Sequence, residues 1–76
     1  MEHAKFSQPV EVNGLAIADA DQAASFLLEY WPVAEGEYYE QAKLACVEAI
    51  AGKRDPDDAR AAFVFAADEA GVVISV

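Results

Sequence analysis

Cys46, His3, Arg60 and two acidic groups, Asp55-Asp57-Asp58 and Glu35-Glu37-Glu40, are the side chains whose types and spacing could do chemistry. A nucleophilic or redox thiol must ionise, which requires nearby positive charge or a helix N-terminus to lower its pKa. Cys46 instead stands between Ala45 and Val47, at helical spacing from Ala42 and Ala49, which predicts a small buried core residue. His3 is the sole histidine and falls in a segment expected to be mobile, so a Ser-His-Asp or Cys-His arrangement is not expected.

Asp55, Asp57 and Asp58 resemble the start of an EF-hand loop, but the glycine and closing glutamate such a loop needs are missing. Capping of a helix explains all three acids without a metal. Glu35, Glu37 and Glu40 lie before and within the first turn of another helix, where negative charge is favoured; carboxylates without a shaped loop would hold a divalent cation only loosely. No metal and no cofactor is therefore expected. Arg60 is a candidate anion contact, since its fork grips carboxylate or phosphate at two points, but Asp57 three residues earlier offers an ion pair instead. Trp31 and the Tyr38-Tyr39 pair could form a recognition surface, although the helical period assigns Trp31 and at least one tyrosine to the core.

The elements that position these residues follow from pattern and punctuation. Phe6, Val10 and Val12 alternate, Asn13-Gly14 suits a two-residue type I′ turn, and Leu15 and Ile17 resume the alternation, which predicts a β-hairpin. Pro9 removes a donor, so the first strand is expected at a sheet edge or with regular pairing only beyond Pro9. Asp19 with Gln22 reads as a near capping box opening a helix that ends at Trp31, with Ala20, Ala23, Leu27, Tyr30 and Trp31 on its core face. A second helix is expected from about Glu37 to Ala51, burying Tyr38, Ala42, Cys46 and Ala49. A third opens at Asp55-Pro56, buries Ala59, Ala62, Phe63, Ala66 and Ala70, and stops at Gly71. Val72 to Val76 reads as a last strand beside the hairpin. The expected fold class is α+β: an N-terminal β-hairpin, three amphipathic helices and a C-terminal strand completing a small antiparallel sheet.

Composition bounds the rest. The 76 residues suit a single domain over 1–76, with 1–5 expected to be flexible, and the 55% apolar content is too high for a disordered chain. Fourteen acids against five Lys and Arg give a net charge of −9, which repels phosphate backbones and anionic membranes, so no nucleic acid and no membrane is expected as a partner. The acids cluster at helix starts, which explains them more simply than mimicry of a nucleic acid. A lone cysteine permits no internal disulfide, and no apolar run approaches the roughly 20 residues that cross a bilayer; a cytoplasmic setting is expected.

The run Gly36-x-x-Tyr39-x-x-Ala42-x-x-x-Cys46-x-x-Ala49-x-x-Gly52, then Ala59-Arg60-x-Ala62-Phe63-x-x-Ala66-Ala67-x-Glu69-Ala70-Gly71, resembles the bacterial family catalogued as domain of unknown function number 982. The resemblance extends back through Trp31-Pro32 and Pro9-Val10, covering nearly the whole chain. It implies a small intracellular protein of chiefly soil- and plant-associated bacteria, with no assigned activity and no catalytic residues to carry over.

A second apolar stripe is the feature that capping and core packing do not absorb. Ala61, Val64 and Phe65 on the third helix, and Leu44, Val47 and Ala51 on the second, point away from the core faces. A domain this small has little material to cover both backs, so exposed apolar surface there would mark a protein contact. The expectation is a non-catalytic interaction module whose surface includes Leu44, Val47, Val64 and Phe65, engaging a protein partner or itself as a homodimer, not an enzyme. The C-terminal strand, if it lies at an edge, offers another contact. The alternative is a small-ligand or anion-binding domain using Arg60 and nearby tyrosine hydroxyls.

Overall fold

The structure is a computed structural model that describes residues 4–32 and 35–75. Its elements run β1 Lys5–Val12, β2 Leu15–Asp19, α1 Ala20–Glu29, α2 Glu37–Ile50, α3 Pro56–Ala70 and β3 Ile74–Ser75. The sheet is antiparallel in the order β2-β1-β3, so the fold is α+β with hairpin, three helices and a final strand. Ala4 and Lys5 belong to it: the Ala4 carbonyl accepts from Ala20 N at 2.9 Å and Lys5 pairs with Asp19. His3 lies outside the described residues.

Asn13 and Gly14 both take positive φ, 52° and 85°, which gives the turn the twist of its flanking strands and pairs Val12 with Leu15. Regular pairing of β1 begins at Val10, directly after Pro9, as the missing donor requires. β1 is nevertheless the central strand. The sheet tolerates Pro9 there because β3 reaches only Glu11 and Val12 and never draws on position 9. The irregular stretch before Pro9 finds its partners on α3: Ser7 N donates to Asp57 Oδ1 at 2.9 Å, and Arg60 Nε donates to the Gln8 carbonyl at 2.8 Å.

Local signals set most helix ends. Asp19 Oδ1 accepts from Gln22 N, while Gln22 Oε1 accepts from Ala18 N, a capping box displaced by one residue at its return arm. α1 ends at Glu29 instead of Trp31, because Pro32 disfavours helical geometry at the residue before it. Trp31 leaves the helix and turns inward, edge-on to Phe26 at 6.0 Å and tilted against Phe63 at 5.4 Å between ring centroids. Tyr30, expected in the core, is exposed as a result. α3 has Asp55 as N-cap and Pro56 in its first turn, and Gly71 closes it at φ 73° with Val72 N donating to the Ala67 carbonyl at 2.8 Å. That closure holds Val72 in the helix terminus, so the final strand is Ile74–Ser75 and not the longer run from Val72; Val76 lies outside the described residues.

The core lies between one sheet face and the three helices. Val10, Val12 and Ile17 from the hairpin meet Leu27, Phe63 and Cys46, and the helices approach closely through Ala42, Ala45 and Ala49 of α2 and Ala59, Ala66 and Ala67 of α3. On α3 the buried arc centres on Phe63 and includes Ala67, leaving Ala62 and Ala70 half-buried. On α2 the buried tyrosine is Tyr39, with Tyr38 exposed. Tyr39 Oη donates to the Leu27 carbonyl at 3.2 Å, which satisfies its hydroxyl inside the core and ties α2 to the end of α1.

Candidate functional site

Five of the candidate reactive side chains, Cys46, Asp55, Asp57, Glu40 and Arg60, are taken up by the fold. Cys46 is fully buried in the middle of α2, and burial, with a smaller push from the Asp21 carboxylate, raises its thiol from the ordinary 9.0 to about 11. A thiol held that firmly protonated is a poor nucleophile. Asp55 Oδ1 caps α3 by accepting from Asp57 N at 2.9 Å, and Asp57 in turn holds Ser7 N. Glu40 pairs with Lys43 at 3.5 Å, one turn along α2. Among the described residues no three of His, Cys, Asp and Glu are disposed to hold a metal ion.

Arg60 is half-buried at the seam between α3 and β1, where its Nε holds the Gln8 carbonyl in place of the ion pair with Asp57 that the sequence suggested. Both Asp57 and Arg60 therefore reach across to β1, from adjacent turns of α3, and grip consecutive residues at the point where strand pairing fails. Arg60 lines none of the four surface concavities described for this fold.

Glu69 is the residue the sequence pattern presented without a role. α2 has no side-chain cap of its own, because its N-cap is Gly36. Glu69 supplies the cap from the last turn of α3: Oε1 accepts from Tyr39 N at 3.2 Å and Oε2 from Tyr38 N at 3.3 Å. A carboxylate at that end of a helix also complements the positive pole of the backbone dipoles. Gly36 has φ 125°, a region that side chains disfavour, and a Cβ built on it would overlap the Glu69 carboxylate. Glycine at 36 and glutamate at 69 thus form one device.

The second apolar stripe remains largely uncovered. Leu44, Val47 and Phe65 are 54%, 59% and 56% exposed, and Val64 is half-buried. On the helical projection Leu44 and Val47 lie opposite Ala42, Ala45 and Ala49. Phe65 stacks on Tyr38 with ring centroids 5.6 Å apart and planes 25° from parallel, so two exposed aromatics form one apolar plate across α2 and α3. Beside it, Val64, Phe65 and Asp68 of α3 and Val72, Val73 and Ile74 line a groove of about 420 Å³. A separate apolar region surrounds β2, where Leu15, Ile17, Phe26 and Tyr30 line a concavity of about 350 Å³ and Leu15 and Tyr30 are exposed. The sequence reading placed Tyr30 and Tyr38 inside. A first-turn residue such as Tyr38 projects beyond the helix body, and Tyr30 follows the last turn, so periodicity loses its authority at both.

A family model described as protein of unknown function (DUF982) matches residues 8–74, and the chain belongs to that family. Comparison with curated proteins and with solved structures gives no match. The match confirms the resemblance carried by the spaced residues from Gly36 to Gly71, two of which, Gly36 and Glu69, are the parts of the capping device. No helix among the described residues is long and apolar enough to cross a membrane.

Proposed function

We propose that this DUF982 member is a non-catalytic, cytoplasmic protein-interaction module that binds a partner protein or a second copy through the outer faces of α2 and α3. The observation that carries the reading is the exposure of Leu44, Val47 and Phe65, each more than half accessible, with Phe65 plated against exposed Tyr38. Scattered exposed apolar residues are ordinary on protein surfaces, but a stacked aromatic pair bordering an apolar groove is the kind of feature that marks a contact. Aromatic side chains also dominate the energetics of known interfaces. The buried Cys46 thiol and the use of Asp55, Asp57 and Arg60 in a cap and in clamps on β1 support association over chemistry at these side chains.

The test compares wild type with Phe65→Asp. Light scattering after size exclusion, across micromolar concentrations, reads self-association, and affinity capture from the native cells reads partners. The expected result is a dimer or a retained protein set that Phe65→Asp loses while remaining folded. A wild-type chain that stays monomeric, and that retains the same proteins as Phe65→Asp, would refute the reading.

A further inference from the structure

Resting on that interaction reading, we propose that the groove between α3 and β3 receives a basic segment of a partner protein that carries apolar side chains. Val64, Phe65 and Ile74 make the groove apolar, and Asp68 is the one charged residue that lines it. β3 is an outer strand of the sheet, so its far backbone edge has no neighbouring strand among the described residues. An extended segment laid along that edge would hydrogen-bond to it and turn alternate side chains into the groove.

The charge of the occupant follows from Asp68. Asp68 and Glu69 both occupy the last turn of α3, where the negative pole of the helix opposes a carboxylate. Glu69 has an internal reason to be there, since it caps α2. The Asp68 carboxylate has no hydrogen-bond or ion-pair partner among the described residues. Among the described residues α3 has no basic residue in its last turn, and three of the five Lys and Arg are engaged elsewhere: Lys43 with Glu40, Arg54 with Glu48 at 3.0 Å, and Arg60 with the Gln8 carbonyl. A negative charge set against its own helix, in the lining of an apolar groove, is complemented by a lysine or arginine from outside. A second copy of this chain fits the groove less well, because each copy brings a net charge of −9.

The experiment titrates the full chain into two fluorescent peptides of about twelve residues, one alternating leucine with lysine and the other leucine with glutamate, and follows anisotropy. The lysine peptide is expected to bind, the glutamate peptide not. Asp68→Lys and Phe65→Ser should each weaken binding by about tenfold or more, whereas Leu15→Ser, on the opposite edge of the sheet, should leave it unchanged. Binding should also weaken between about 50 and 500 mM salt. Equal binding of both peptides, no binding of the lysine peptide, or indifference to Asp68→Lys would overturn the proposal. If neither peptide binds but the wild-type chain dimerises and Phe65→Asp abolishes the dimer, the interaction reading stands and the basic partner alone is refuted.

Discussion

Replacing Gly36 by alanine tests the capping device. The backbone there has φ 125° and ψ 152°, a region essentially confined to glycine, and holding alanine in it costs about 1–3 kcal/mol. The new Cβ also displaces the Glu69 carboxylate. Because that carboxylate ends a flexible side chain it can swing away with little steric cost, but doing so abandons Tyr38 N and Tyr39 N, and loss of a helix cap costs about 0.5–2 kcal/mol. The expected total is about 2–4 kcal/mol, a large part of the ~4–11 kcal/mol typical of a domain this size. The melting temperature should fall by on the order of 10–25 °C. Urea unfolding followed by the fluorescence of Trp31, the sole tryptophan, should show a lower midpoint with an unchanged slope. The decisive comparison is the double variant. In a Glu69→Ala background the cap is already gone, so Gly36→Ala should cost only its backbone share, and the double variant should be more stable than the two single losses added together by about 1 kcal/mol. Strict additivity, or a Gly36→Ala variant within about 0.5 kcal/mol of wild type, would refute the account.

Neighbouring aromatics on α3 should behave oppositely: Phe63→Ala, at a fully buried position, should lose about 3–5 kcal/mol in urea unfolding, whereas Phe65→Asp should lose under about 1 kcal/mol. Arg60→Ala should lower stability by about 1 kcal/mol through loss of its bond to the Gln8 carbonyl, with protection of the Ser7, Gln8 and Val10 amides falling more than that of α1 in hydrogen exchange. Cys46 should resist a thiol-labelling reagent at neutral pH, where a pKa of about 11 leaves on the order of one thiolate in 10⁴, and should react at the ordinary rate once unfolded. Since burial raises that pKa from 9.0, the folded state holds the proton more tightly; its share of stability is complete below pH 9 and is lost as pH climbs through about 11, which the pH dependence of the urea midpoint reads.

Where the deciding interactions are local, they are legible in the residues. Asn13-Gly14 gives the hairpin, and Asp55-Pro56 with Gly71 gives both ends of α3, because each acts within a few residues of itself. The start of α2 is different. Its cap comes from Glu69, thirty residues from Tyr39, and no window along the chain joins them. Pro9 left two placements open for a related reason, an edge strand or pairing only beyond it, and the second holds because β3 reaches only Glu11 and Val12. The exposure of Leu44, Val47 and Phe65 followed from the helical period, since all three lie within helix bodies where the period holds. The groove beside Phe65 did not, because half of its lining, Val72, Val73 and Ile74, is placed by the α3 closure at Gly71 and by the pairing of Ile74 with Val12.

The Glu69 bridge makes the opening turn of one helix depend on the closing turn of the next. Amides at the beginning of a helix ordinarily fray first, exchanging with solvent without disturbing the rest. Here the Glu69 carboxylate holds the amides of Tyr38 and Tyr39, so their exchange should be slower than at an uncapped helix start and should quicken in Glu69→Ala. Tyr38 also carries the aromatic plate. Whatever settles on Phe65 would therefore press on the latch between two helices, and occupancy outside could be sensed as rigidity within.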